Sequence, residues 1–208
     1  MMPQAALRRG LAELGVALDA QAQDKLHAYL ELLAKWNRTY NLTAIRDPLR
    51  MVTHHLLDSL AVLPALGPGR LADVGSGAGL PGIPIAIAQP HRHVALVEAS
   101  HKKSAFLRQA VMALGLANVQ VHHGRAESWQ PSALFDVAIS RGFSELSAFV
   151  AACRHLVLPD GVLAAMKGTY PRDELARLPA GCGPCEVRAL RVPLLQGERH
   201  LVLCRRGD

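Results

Sequence analysis

The sequence predicts an α/β fold: a parallel sheet with helices on both faces, preceded by a helical extension and finished at one edge by an antiparallel hairpin. Three observations predict it. From residue 70 onward, short apolar runs alternate with helical stretches. A glycine-dense segment, Asp73-Val74-Gly75-Ser76-Gly77-Ala78-Gly79-Leu80-Pro81-Gly82, lies between the first such run and the first helix. The last two apolar runs are joined by a short polar stretch with no helix between them.

The first third reads as helices. Asp19 is a good N-cap, and Leu26, Tyr29, Leu30, Leu33 and Trp36 follow at helical spacing. Asp47-Pro48 repeats the start signal, a cap followed by proline at the first helical position. Val52, Leu56, Leu60 and Leu63 then line one face. Pro64-Ala65-Leu66-Gly67-Pro68-Gly69 breaks that helix. It divides the chain into a helical extension, 1–67, and a main domain, 68–208. Strands are predicted over 70–74, 93–98, 119–122, 135–140 and 161–166, with helices near 82–89, 101–114 and 143–157. Five strands joined this way form a parallel sheet covered on both faces. Residues 186–194 and 200–205 flank 195–199 as a hairpin.

Composition narrows the function classes. Half of the 208 residues are hydrophobic, enough for a sizeable core, which excludes a disordered tail protein or a disulfide-stapled miniature. Lys and Arg number 23 against 17 Asp and Glu, for a net +6. That excess suits a polyanionic partner. It is spread along the chain without a basic tail, so any nucleic-acid surface must be assembled by folding. No apolar run is long enough to cross a bilayer and no cleavable apolar leader follows Met1. Four cysteines, Cys153, Cys182, Cys185 and Cys204, make no disulfide framework. The single CxxC, Cys182 to Cys185, has no second ligand pair for structural zinc and reads as a loop before a strand. The expectation is a reduced, cytoplasmic protein without metal or membrane contact and with no obligate protein partner.

The glycine segment carries the chemistry. Successive glycines after a strand let the backbone approach a ligand closely. Gly77 to Gly82 fits GxGxxG, a dinucleotide fingerprint that sets a pyrophosphate on a helix N-terminus. Asp73-x-Gly75-x-Gly77-x-Gly79 instead fits the acidic loop of S-adenosylmethionine enzymes. Asp73 favours the second parse, because a strand-end carboxylate attracts a cation and repels a pyrophosphate. Glu98 ends the next strand, where a ribose diol lies for either cofactor. Gly124-Arg125-Ala126-Glu127 follows the third strand, beside the base of an adenosine ligand. Arg141 closes the fourth. Alone, Glu127 or Arg141 would read as a surface charge; at consecutive strand tips they fall where open α/β sheets bind ligands.

Together these residues resemble the bacterial ribosomal RNA small-subunit methyltransferase G family, also called glucose-inhibited division protein B. The likeness extends over Trp36-Asn37, Tyr40-Asn41-Leu42-Thr43-Ala44-Ile45 and His55-x-x-Asp58-Ser59-Leu60. It continues through 73–84, Glu98-Ala99-Ser100-His101-Lys102-Lys103, Phe106-Leu107, Ser140-Arg141 and Lys167-Gly168. The resemblance implies a Rossmann-like class I S-adenosylmethionine-dependent methyltransferase sheet. It also implies transfer of a methyl group to N7 of a guanine in 16S ribosomal RNA, with S-adenosylhomocysteine as product. Carried over by position, Gly75, Leu80, Ala126, Glu127 and Arg141 contact the cofactor, and Glu98 the ribose. Where the family usually has alanine after Ser-Arg, this chain has Gly142, which loosens the backbone just past the site.

Guanine N7 offers an in-plane lone pair and no proton, so in-line displacement at the methyl needs alignment and no general base. The sequence agrees: Ser140-Arg141-Gly142-Phe143 is not the Asn/Asp-Pro-Pro-aromatic loop that serves exocyclic amines, and no cysteine sits at a strand tip. His54, His55 and Asp58 are the acid–base candidates, and the mechanism asks for none of them. His54 and His55 also read as one exposed and one buried helix residue. Arg141 is the candidate for orienting the guanine. The guanine N7 edge is hidden in A-form RNA, so the target must be a loop, bulge or flipped nucleotide. Lys102, Lys103, Arg108, Arg125 and Lys167, with Arg38 and Arg46, are candidates to hold phosphates. Only nine residues are aromatic, so phosphate contacts rather than base stacking should dominate RNA binding. The substrate is naked 16S RNA or an assembled small-subunit particle. Other readings are methylation of another RNA position or a small molecule, a nicotinamide-dependent oxidoreductase, and an RNA-binding assembly factor without chemistry.

Overall fold

The computed structural model describes residues 2–179 and 181–207. Helices α1 (Pro3–Leu14) and α2 (Ala20–Tyr40) open the chain. Asp19 caps α2 as its residue type demands, its carboxylate accepting from the Ala22 amide at 2.7 Å. Asp47 does the same for α3 (Pro48–Met51), accepting from Arg50 N at 2.8 Å. The chain then widens into a π-helical stretch, Val52–Leu57, before α4 (Asp58–Leu60). Helix α1 and the π-helical turn were not legible in the residue pattern.

Seven strands form one sheet: β1 (Leu71–Val74), β2 (Val94–Glu98), β3 (Val119–His123), β4 (Phe135–Arg141), β5 (Val157–Lys167), β6 (Cys185–Ala189) and β7 (His200–Arg205). Their order is β3-β2-β1-β4-β5-β7-β6. The first five run parallel, and β7 enters antiparallel between β5 and β6. Helices α5 (Gly82–Ala88), α6 (His101–Ala113) and α7 (Leu146–Cys153) connect them, with the short α8 (Arg172–Ala176) after β5. The parallel sheet and its hairpin thus match the sequence expectation, except that the hairpin's first strand ends at Ala189 rather than 194.

Alternate residues of each strand face opposite layers. Leu71, Leu96 and Ile139 pack with Ile83, Phe106 and the extension's Leu7, Leu26, Tyr29 and Leu56. Ala72, Val97 and Ala138 pack on the other side with Phe149 and Val150 of α7. The helical extension therefore shares a core with one face of the sheet. Trp36 of α2 meets Phe106 of α6 edge-on at 5.6 Å.

Two expectations are corrected. The helix near 143–157 ends at Cys153, and β5 begins at Val157 rather than 161, because Val157 pairs with Phe135 ahead of an irregularity in the ladder. The cysteines are not all reduced: Cys185 and Cys204 form a disulfide. They stand directly opposite each other on β6 and β7, a juxtaposition that antiparallel register creates and a spacing of 19 residues conceals.

Candidate active site

Parallel register brings the sequence-selected residues to one edge. Asp73 pairs with Ile139 and Leu96 in the ladder, so Gly75, Glu98 and Arg141 leave neighbouring strands at the same end. Gly75, Gly77 and Gly79 all take positive φ, at 68°, 58° and 87°, which side chains disfavour. A Cβ on Gly77 would meet nothing closer than 3.8 Å, whereas one on Gly79 would collide with Ile83. The loop therefore presents open backbone outward and packs tightly inward.

Two acids hold it there. Asp73 is fully buried, and its Oδ2 accepts from Gly82 N at 2.9 Å. Its Oδ1 is buried without a partner. Burial, opposed by the Gly82 bond and the Arg141 charge, pushes its carboxyl up to about 7. Glu98 accepts from Gly77 N at 2.8 Å and from Ser100 N at 2.8 Å. Tyr29 adds a brace that sequence reading assigned only to the core: its hydroxyl donates to Ala78 O at 2.7 Å from the buried face of α2. Gly79→Ala removes the required conformation and drives a methyl into Ile83. The expected result is an adenosine-ligand affinity reduced more than about tenfold with a lowered melting temperature, checked by titration calorimetry and thermal unfolding.

Ala126 is buried in a 3-10 turn after β3, with Arg125 and Glu127 exposed on either side. Lys102 and Lys103 lie in the first turn of α6, next to Glu98, and Arg108 is exposed farther along that helix. Arg141 is drawn elsewhere. Its Nη1 donates to His54 O at 2.8 Å and to Asp58 Oδ2 at 3.2 Å, while Arg199 Nε donates to Asp58 Oδ1 at 3.0 Å. One buried carboxylate thus fixes two guanidiniums, leaving a net positive centre. Lys167 is spoken for: its Nζ reaches Glu174 Oε2 at 2.7 Å and Phe143 O at 3.2 Å. Arg199 escaped sequence reading because it lies 141 residues from Asp58.

Arg141, Lys167 and Arg199 line a cavity of about 360 Å³ with Ile45, His55 and His200. A larger cavity of about 540 Å³ opens at the other end of the sheet, by Asp136, Asp160 and Cys185. Ligands of open parallel sheets bind at the carboxyl ends of the strands, which selects the smaller one. Behind it, Asn37 exchanges two hydrogen bonds with the Thr43 backbone at 2.9 Å each, and Thr43 Oγ1 meets His55 Nε2 at 3.0 Å. His54 is half-buried and His55 buried.

Burial and the Arg141 charge push His55 down to about 4, so it is neutral near pH 7. Because its folded value lies below its unfolded one, the stability it confers is full above pH 6.5 and is lost as pH falls toward 4. Asp73 acts with opposite sign, so wild type alone does not isolate the effect. The stability advantage of wild type over His55→Gln is expected to fall by about 2 kcal/mol between pH 7.5 and 4.5, read from paired denaturant titrations.

Residues 22–202 match the sequence profile described as rRNA small subunit methyltransferase G. The chain belongs to that family. It is 56% identical over 211 residues to a protein of Aromatoleum aromaticum named ribosomal RNA small subunit methyltransferase G, covering 99% of this chain and all of that one. A relative of the same name from Chromobacterium violaceum is 55% identical over 95% of each chain. Among solved structures, an S-adenosylmethionine-dependent methyltransferase from Aquifex aeolicus superposes with a TM-score of 0.57 at 21% identity, over 76% of this chain and 94% of that one. That likeness places the fold in the class I methyltransferase group. Within the family's matched span, the glycine loop, Glu98 and the Asp58–Arg141 pair all lie at one edge of the sheet, and Arg199 joins them from the hairpin.

Proposed function

We propose that the protein transfers a methyl group from S-adenosylmethionine to N7 of a guanine in 16S ribosomal RNA, producing S-adenosylhomocysteine. The observation that carries this reading is the junction of an acid-braced glycine loop with a cationic cavity at the ends of adjacent strands. The Glu98 carboxylate already accepts from Gly77 N of the loop, which disfavours a pyrophosphate there. That weighs against a nicotinamide dinucleotide. In the proposed site Gly75, Gly77, Gly79, Leu80 and Ala126 line the cofactor, Glu98 takes the ribose hydroxyls, and Glu127 and Arg141 flank the adenosine and methionine parts. When bound, the cofactor supplies a sulfonium-activated methyl group.

The chain's own part is positioning. Asp58 Oδ1 and Oδ2 both accept from arginines, and His55 is held neutral and hard to protonate. Asp58 and His55 are thus poor proton acceptors, which suits N7 and not an exocyclic amine. Arg141, with Arg199 beside it, donates toward guanine O6 and sets the N7 lone pair in line with the methyl. Lys102, Lys103, Arg108 and Arg125 track phosphates around the edge, with Lys167 held back by Glu174 and helices 1–67 acting as an extension that covers the 68–208 domain. The substrate is ribosomal RNA, as naked 16S chain or within the small-subunit particle, in the cytoplasm and without an obligate protein partner. Among the described residues no helix is long and apolar enough to cross a membrane.

Labelled S-adenosylmethionine incubated with undermethylated small-subunit particles and, in parallel, with naked 16S RNA tests the reading. Stoichiometric transfer to one of the two supports it and identifies the substrate form. Transfer to neither, with cofactor binding intact, would redirect the search to other acceptors.

A further inference from the structure

Three cysteines outside the proposed reaction meet at the opposite end of the sheet. Cys185 and Cys204 are bonded across β6 and β7. Cys182, in the loop before β6, keeps a free thiol whose Sγ stands 3.9 Å from Cys185 Sγ. All three sulfurs lie within 4.8 Å of one another. A thiol therefore rests nearly in contact with a disulfide. Cys204 is fully buried, whereas Cys182 and Cys185 are partly exposed. Burial pushes the Cys182 thiol up, and the Arg154 charge offsets part of that shift.

We propose that these residues form an internal thiol–disulfide exchange site in which Cys182 displaces Cys204 from Cys185. The Cys182 thiolate attacks Cys185 Sγ. The Cys182–Cys185 bond forms, the Cys185–Cys204 bond breaks, and its electron pair leaves on the Cys204 sulfur, which takes up the proton released from Cys182. No external oxidant or reductant enters this step. The attacking sulfur must swing onto the axis of the disulfide, and Gly181, at φ 85°, gives the preceding backbone that freedom. Strand β6 lies at the sheet edge and, among the described residues, pairs only with β7. Exchange converts the covalent link between them into a link within one short loop, leaving the edge strand held by its ladder and by the packing of Val187. A small thiol from solvent meets Cys182 or Cys185 before the buried Cys204.

Tryptic cleavage separates the partners, because Cys182 and Cys185 fall in peptide 178–188 and Cys204 in peptide 200–205. The folded full-length protein is oxidised with glutathione disulfide at pH 8, quenched in acid, alkylated, digested and mapped by mass spectrometry. Wild type is expected to yield two species. One is 178–188 joined to 200–205 with Cys182 alkylated; the other is 178–188 closed on itself with Cys204 alkylated. Cys182→Ser should give the joined pair alone, and Cys204→Ser the closed loop. The proposal is overturned if wild type gives only the joined pair, or if none of the three cysteines enters a disulfide. It is equally overturned if purified wild type carries one zinc per chain that Cys182→Ser loses, since the cluster would then be a cation site.

Discussion

Replacing Arg141 with alanine is expected to reduce methyl transfer by about two orders of magnitude while leaving the fold nearly as stable. Arg141 ends β4 beside Gly75, and its guanidinium is fixed by His54 O and Asp58 at the wall of the cationic cavity. An ångström-scale misplacement of a reacting atom is enough for a loss of about 100-fold. Stability is spared because Asp58 keeps Arg199 at 3.0 Å, so no buried carboxylate is stranded. Arg141→Lys restores the charge without the planar fork and should recover only part of the rate. Single-turnover rates with small-subunit particles, paired with thermal unfolding, read both effects. Near-normal transfer by Arg141→Ala would remove this residue from the site.

Asp58→Ala should have the larger effect on the molecule itself. Asp58 is 3% exposed and is the shared partner of two guanidiniums. Its removal leaves both without a counter-charge at the edge of the core. Breaking a buried pair costs about 3–5 kcal/mol. Each arginine side chain here is about a quarter exposed, and solvent screening brings the expectation to the low end, about 3 kcal/mol. For a chain of this size that lowers the melting temperature by on the order of 10 °C. Methyl transfer should fall even where the variant is fully folded, since both arginines lose their orientation. Asp58→Asn keeps the shape and one acceptor and should lie between. Unchanged melting and activity in Asp58→Ala would refute a positioning role for this carboxylate.

What was legible in the sequence was local. Strand and helix periodicity, the Asp19 and Asp47 caps, and the glycine loop with its acids at positions 73 and 98 depend on neighbours within a few residues. So does the hairpin that brings β7 beside β5, although its joining segment is longer than the pattern indicated. What was not legible depends on contacts between distant positions. Asp58 was visible within a motif, but its second partner Arg199 arrives from the far end of the chain. Tyr29 read as a core residue until its hydroxyl was found bracing Ala78 across 49 residues. Lys167 read as a phosphate ligand, yet Glu174 on the following helix neutralises it. The disulfide likewise needed the strand register before its two cysteines could be seen as neighbours.

The most direct test is the chemical position of the transferred methyl. RNA methylated by the purified protein would be digested to nucleosides for mass spectrometry and, in parallel, reduced with borohydride and cleaved with aniline, which breaks the chain at N7-methylguanosine. One 7-methylguanosine per 16S chain with a single cleavage site is the predicted result. Methyl groups found on an exocyclic amine, on a ring nitrogen that must first lose a proton, or on ribose would contradict a site that works by alignment without a general base.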